Sequence, residues 1–144
     1  MIEQSLCNSY GVEALQGIHR NDHIYKIALF TSEAVLNKNT KTYNKQSHEV
    51  ENGRGYEVRG QVLLGFSVIL DEDTACLSFK NPIWPRATIR ARGALIYNDT
   101  LIGLNSVCVL DFGEDVSSYN DDFKVFFPLQ KASSSLVRIR CSTI

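Results

Sequence analysis

The chain has 144 residues, with 15 Lys and Arg against 16 Asp and Glu and a formal net charge of -1. That length suits one domain with a real core, and a charge so near zero excludes the overall basic character of a protein that grips nucleic acid by its phosphates. No apolar run approaches the roughly 18 residues of a membrane span, and the first seven residues lack the basic-then-apolar order of a secretory signal, so none is expected.

Taken in order, residues 1–8 read as an arm that takes its order from a neighbour. The spacing of Val12, Leu15 and Ile18 predicts a short helix near residues 10–18, with Asn8 or Ser9 as N-cap. Residues 23–30 are β-branched and aromatic and predict a strand. One helical turn is expected at 32–36, an exposed loop at 37–42, and a long loop with little regular structure at 43–57. Within that loop Asn52-Gly53-Arg54-Gly55 signals a turn. Residues 58–70 read as a strand with Val62, Leu64, Phe66, Val68 and Leu70 on one side and Leu63 and Ile69 on the other, which predicts core cover on both faces, followed by a turn at Asp71-Glu72-Asp73. Residues 74–80 alternate, which predicts Ala75, Leu77 and Phe79 inward and Thr74, Cys76, Ser78 and Lys80 outward. Asn81-Pro82 and Trp84-Pro85 break the chain.

Residues 84–98 carry the clearest pattern. Ala87, Ile89, Ala91, Gly93, Leu95 and Tyr97 share one face, and Arg86, Thr88, Arg90 and Arg92 share the other, so this is a long half-buried strand. A partly covered turn follows near Leu101-Ile102. Residues 105–112 form a strand closed by a turn at Gly113-Glu114-Asp115. A further strand at 122–127 has Phe123, Val125 and Phe127 inward and stops at Pro128. The last strand, 135–141, faces Val137, Ile139 and Cys141 inward and Arg138 and Arg140 the other way. Strands without intervening helices exclude alternating α and β units. The expected fold is all-β: a single-domain antiparallel β-sandwich, jelly-roll-like or Ig-like, with a short N-terminal helix and arm over 1–20 and the sandwich over 21–144. A closed barrel is the second option.

Candidate chemistry is thin. The carboxylate clusters Asp71-Glu72-Asp73, Glu114-Asp115 and Asp121-Asp122 fall at expected turns, where acidic residues stay solvated. His19 and His23 flank a turn and His48 stands apart, which favours structural or surface roles over metal ligation. There is no Gly-x-Ser-x-Gly elbow and no phosphate loop. Cys7, Cys76, Cys108 and Cys141 form no CxxC pair and no zinc-like spacing, so four reduced thiols are expected. Neither a catalytic residue, nor a cofactor, nor a metal site is expected. The arginines carry more weight. Arg86, Arg90 and Arg92, with Arg138 and Arg140 on another strand, form either a solvated sheet face or a cationic surface for an acidic partner, to which guanidinium forks bind bidentately. Aromatic residues are not interleaved among them as platforms for bases. Trp84 reads as a core or edge plug, or alternatively as a platform for a sugar.

Several blocks bear a likeness to known proteins. They are residues 15–19 (Leu-Gln-Gly-Ile-His), residues 25–32 (Tyr-Lys-Ile-Ala-Leu-Phe-Thr-Ser), Glu49-Val50 followed by Gly55-Tyr56, and Trp84 followed by residues 87–98. Residues 109–113 (Val-Leu-Asp-Phe-Gly) and 123–128 (Phe-Lys-Val-Phe-Phe-Pro) complete the set. In this order and spacing the chain resembles a family of small virion proteins from tailed bacteriophages. It departs from the family in having little glycine after Tyr56 and in its four cysteines. The resemblance implies a non-enzymatic structural protein of the virion, assembled in the host bacterial cytoplasm. Within that class it implies a capsid cement or decoration protein that binds the major capsid protein, with a tail or neck component as the alternative. The expected partners are virion proteins and further copies of the chain, as a dimer or trimer, with no direct nucleic acid and no membrane.

Overall fold

A computed structural model of the chain describes residues 1–44 and 48–144. They group into two compact units, Met1–Val62 with Trp84–Phe123, and Leu63–Ile83 with Lys124–Ile144. The elements in order are β1 (Ser5–Leu6), α1 (Asn8–Leu15), β2 (Tyr25–Phe30), β3 (Gln61–Val62), β4 (Ser67–Asp71), β5 (Thr74–Ser78), β6 (Ile83–Asn98), β7 (Ser106–Lys124) and β8 (Val137–Arg140). A five-stranded sheet has the order β1-β7-β6-β2-β3, and a three-stranded sheet has the order β4-β5-β8. The registers of β1 with β7, β2 with β3 and β6, and β5 with β4 and β8 are all antiparallel. The all-β class, the antiparallel pairing and the short N-terminal helix agree with the sequence. Both sheets have open edges, so neither closes into a barrel.

The first unit is built on β6. Ala87, Ile89, Ala91, Leu95 and Tyr97 are buried and Arg90 is exposed, as period two predicts. From Ala94 to Asn98 both faces are buried, and along this stretch β2 pairs beside it from Tyr25↔Asn98 to Phe30↔Gly93. In β2, Ile27, Ala28, Leu29 and Phe30 are all fully buried, each large side chain contributing about 1.5–3 kcal/mol. Gly93 is small because a Cβ there would stand 2.4 Å from the Leu110 carbonyl oxygen and 2.9 Å from Ile2. Its close neighbours are therefore the adjacent strand and the N-terminal arm.

That arm is not a free segment. The Met1 ammonium donates to the Ala34 carbonyl at 2.9 Å, Ile2 bridges Leu36, and β1 pairs with β7 as Ser5↔Val109 and Leu6↔Cys108. Ile2 and Cys7 are buried. The expected order from a neighbour comes instead from the chain itself. The same contact turns residues 32–36 into an ordinary turn, with Ala34 N–H on the Thr31 carbonyl, where a helical turn was predicted.

The helix starts and stops earlier than predicted. Its N-cap is Cys7, which makes no side-chain cap bond, and among the described residues the Ser9 hydroxyl has no partner. Gly17 ends the helix at positive φ, with Gly17 N–H on Ala14 O and Ile18 N–H on Glu13 O, the paired bonds of a Schellman motif. Tyr10 faces the core, while Val12 and Leu15 are exposed. The 3.6-residue spacing therefore marked a helix but not its buried face.

Strand β7 also departs from expectation. Residues 113–115 do not turn, and the strand continues to Lys124 because the long β6 offers a partner along its length. Gly113 and Asn120 take positive φ within it. Leu101 and Leu104 are half-buried and Ile102 is fully exposed, so the connection after β6 is partly covered, as the sequence predicts. Phe123, Val125 and Phe127 are buried, in agreement with the sequence.

In the second unit the predicted strand over 58–70 is divided. Gly60 and Gly65 take positive φ, and the pieces are β3, in the first unit, and β4. The register Val68↔Leu77↔Val137 and Leu70↔Ala75↔Ile139 gathers the apolar side chains on one face of the β4-β5-β8 sheet. Ser67, Asp71, Thr74, Cys76, Ser78, Arg138 and Arg140 lie on the other, with Ile69 the one large aliphatic residue among them. Phe79 is buried and Lys80 exposed as predicted, but over residues 74–78 the prediction is reversed. Thr74, Cys76 and Ser78 are buried, whereas Val68 is 56% and Leu70 72% exposed, and Ala75 and Leu77 are only half-buried. Val137 is buried as expected, but Ile139 is 52% exposed and Cys141 is exposed as well. The reason lies in residues 129–134. The Gln130 amide donates to the Ser67 and Cys76 carbonyl oxygens at 3.1 and 2.9 Å, Ala132 N–H donates to Asp71 at 2.6 Å, and Arg138 donates to Ala132 O at 3.0 Å. This segment covers the polar face and leaves the apolar one open.

Candidate functional site

The arginine row begins at a bulge. Trp84 and Ala87 are both buried although three residues apart, and Pro85 and Arg86 between them are both exposed. Arg86 has a φ of 47°, so the two residues occupy one place in the alternation. Beyond it, β7 presents carboxylates to the row. Arg90 reaches Asp115 at 2.9 Å and Arg92 reaches Asp111 at 3.0 Å. Asp111 also accepts the Gly113 N–H at 2.9 Å. That backbone bond, and after it Arg92, holds the Asp111 carboxyl below its ordinary range. The Ser118 hydroxyl donates to Ala87 O at 2.7 Å and locks the two strands together on the same stretch.

These pairs change the meaning of the row. The carboxylates expected from a neighbour are supplied to Arg90 and Arg92 by this chain. Among the described residues no carboxylate lies within ion-pair distance of Arg86 or Arg140, and both are exposed. Arg138 is held by a backbone carbonyl. The five residues do not form one constellation: Arg86, Arg90 and Arg92 belong to the first unit, Arg138 and Arg140 to the second.

Beside Arg90 lies an open cleft of about 520 Å³, with Glu33, His48, Glu51, Arg54 and Thr88 in its walls. His48 sits 3.3 Å from Glu33. At its base the buried Glu49 accepts from the Tyr43 and Tyr56 hydroxyls and from Arg59 N–H. Both carboxylate oxygens are therefore occupied, and the group ties the 43–59 segment together. Burial first, and then the bond to Glu49, push both tyrosine hydroxyls up. The Asn52-Gly53-Arg54-Gly55 turn is present, closed by reciprocal bonds between Gly53 and Tyr56.

His19 and His23 form a second, half-buried cluster. His19 Nε2 is 2.8 Å from Glu13, and the Asn98 amide donates to Nδ1 of both His19 and His23, at 3.2 and 2.9 Å. Asn105 donates to the other Glu13 oxygen at 2.8 Å. The cluster fastens α1 and the turn before β2 to the ends of β6 and β7. It is a structural clamp, as the sequence indicated for these histidines, although Asn98 as their common partner was not legible. Among the described residues no group of three or more His, Cys, Asp or Glu is arranged to hold a metal ion.

Trp84 is buried, 6.2 Å from the Tyr56 ring and 6.0 Å edge-on from Phe123. It is a core plug and offers no face to a sugar. Of the acidic clusters, residues 71–73 make the β4–β5 hairpin, with Glu72 at positive φ; the other two lie within β7 and not at turns, where Asp115 serves Arg90 and Asp122 accepts the Arg86 backbone N–H at 3.4 Å.

What sequence reasoning missed is the open surface of the second unit. Leu64, Val68, Leu70, Phe126, Leu129 and Ile139 are all exposed there. The run of apolar residues over 62–70 was visible, but it was assigned to the core. Compared with models of known protein families, with characterised proteins and with solved structures, the chain matches none of them.

Proposed function

We propose that this chain is a non-enzymatic structural protein of a tailed-bacteriophage virion, a cement or decoration protein that binds and stabilises the lattice of the major capsid protein. The observation that carries this reading is the apolar surface of the second unit. Single exposed apolar residues are ordinary, but large side chains gathered on one small unit mark a place where another protein sits. Leu64, Leu70, Phe126 and Leu129 are each at least two-thirds exposed. The resemblance in residues 15–19, 25–32, 87–98, 109–113 and 123–128 supports the same assignment. The paired Arg90 and Arg92 stiffen the β6–β7 ribbon, and Arg86 and Arg140 supply the cations for carboxylates on the lattice. Many modest contacts of this kind gain strength by repetition on a symmetric shell.

Location tests this. In an electron-microscopy map of the particle whose genome encodes the chain, hundreds of copies on the shell are expected. A few copies at the neck or tail would transfer the assignment to a tail component, and absence from the particle would overturn it. Binding of the purified chain to shells that lack it should weaken with salt and with Arg86→Glu and Arg140→Glu together. It should be lost with Phe126→Asp and Leu129→Asp together.

A further inference from the structure

We propose that strand β4 is a self-association edge, pairing antiparallel with β4 of a second copy of this chain in a register centred on Ile69. This takes up the self-association within the virion reading and names the strand that carries it. β4 lies at the outside of the three-stranded sheet, and among the described residues β5 is its one strand neighbour. The hairpin closes between Asp71 and Thr74 around the two residues Glu72 and Asp73. In an antiparallel pair, alternate residues turn their backbone groups to the same partner. Ser67, Ile69 and Asp71 therefore bond to β5, and the N–H and C=O of Val68 and Leu70 point to the open edge. The Gln130 amide, which reaches the Ser67 and Cys76 carbonyls together, fits that assignment, since both oxygens then lie between β4 and β5.

Proteins that stay apart guard such an edge with lysine, proline, a bulge or an inward charge. The sequence Ser67-Val68-Ile69-Leu70-Asp71 has none of these across its middle, and Val68, Ile69 and Leu70 are all exposed. It is also self-complementary. A two-fold axis through Ile69 sets Val68 opposite Leu70 of the second copy and Ile69 opposite its own equivalent. The one charge, Asp71, falls opposite the neutral Ser67, so no like charges meet. Each Val68–Leu70 pair would exchange two backbone bonds. The result is a six-stranded sheet in which the open apolar faces of both copies, with Ala75, Leu77 and Ile139, join on one side. An isologous contact of this kind closes at two copies and leaves no edge of β4 to propagate.

The experiment uses the full chain in solution. Sedimentation across a wide concentration range should show a monomer–dimer equilibrium. Val68→Pro removes one outward donor and none of the bonds to β5, and should weaken dimerisation at least tenfold with the circular-dichroism spectrum retained. Ile139→Lys, on the same apolar face but on the opposite edge, should leave the dimer intact. In a Cys141→Ser background, Ile69→Cys should form a covalent dimer on oxidation, because this register puts the two Cα atoms about 4.5 Å apart. Val68→Cys, offset from its own equivalent, should not. A chain that remains monomeric throughout, a dimer broken by Ile139→Lys but not by Val68→Pro, or larger aggregates in place of a dimer would each overturn the proposal. If Val68→Pro fails to fold, the comparison of Ile69→Cys with Val68→Cys decides alone. Shell binding is measured separately, so loss of either activity does not imply loss of the other.

Discussion

The two units use β-structure in opposite ways. In the first, the central strands β2 and β6 hide their apolar side chains, and from Ala94 to Asn98 even the second face of β6 is covered. Several of its charged groups find partners within the chain, as Arg92 does in Asp111 and Glu49 does in two tyrosines. In the second, the chain lays residues 129–134 over the polar face of a small sheet and leaves the aliphatic face in water. Alternation along a strand is equally regular in both. What differs is which face the rest of the chain covers, so a half-apolar strand is evidence of two faces and not of where the core lies.

Substitutions can break that contrast, beginning with the largest effect. Phe30→Ala in the first unit should cost about 3–5 kcal/mol, because a fully buried ring leaves a cavity. Leu70→Ala in the second should change stability by no more than about 0.5 kcal/mol. Denaturant unfolding of the two variants measures both, and comparable losses would show that β4 is covered after all. Next is an alkaline effect confined to the first unit. Burial pushes the Tyr97 phenol up to about 12. A folded-state pKa raised above the unfolded value of about 10 gives stability that is complete below pH 10 and lost as the pH rises towards 12. The loss should be on the order of 2 kcal/mol from this residue, and Tyr97→Phe should remove that part of the pH dependence.

A smaller effect tests the cover on the polar face. Gln130→Ala removes the amide that reaches Ser67 and Cys76, at a cost of about 1 kcal/mol. Cys76, fully buried in the intact chain, should then react faster with a thiol reagent while Cys108 does not. The smallest effect is expected at Asp111. Its carboxyl is held below the ordinary range, so its contribution is present above the unfolded pKa and fades as the pH falls through the lower folded value. As a partly exposed pair with Arg92 it is worth about 0.2–1 kcal/mol. Asp111→Asn should flatten the acid limb of the stability curve by that amount.

The candidate surface was less legible than the fold. The arginines of β6 stood out because they alternate with alanine and isoleucine, and the structure keeps them on one face. Their carboxylate partners lie 19 and 25 residues away on β7, beyond a turn that was predicted at residues 113–115 and does not form. Arg138 and Arg140 were grouped with them by charge alone, and they lie in the other unit. The stretch from Val62 to Leu70 was read as core because its residues are apolar, yet of residues 62–70 only Leu63 is buried.

By itself the sequence determined the class of this protein: antiparallel strands, the approximate limits of β2, β5, β6 and β8, the turns at residues 52–55 and 71–73, and the two-faced pattern of residues 87–97. These follow from local rules, since backbone sterics and the two-residue period act within a few positions. The tertiary structure decided the rest. It placed the first seven residues against β7 and Leu36, carried β7 through its expected turn, and chose which face of β4-β5-β8 to cover. Those outcomes depend on contacts between residues far apart in the chain, and burial is set by what a distant segment happens to cover. In this protein the segment at 129–134 made that choice, and it left the apolar face and the β4 edge open.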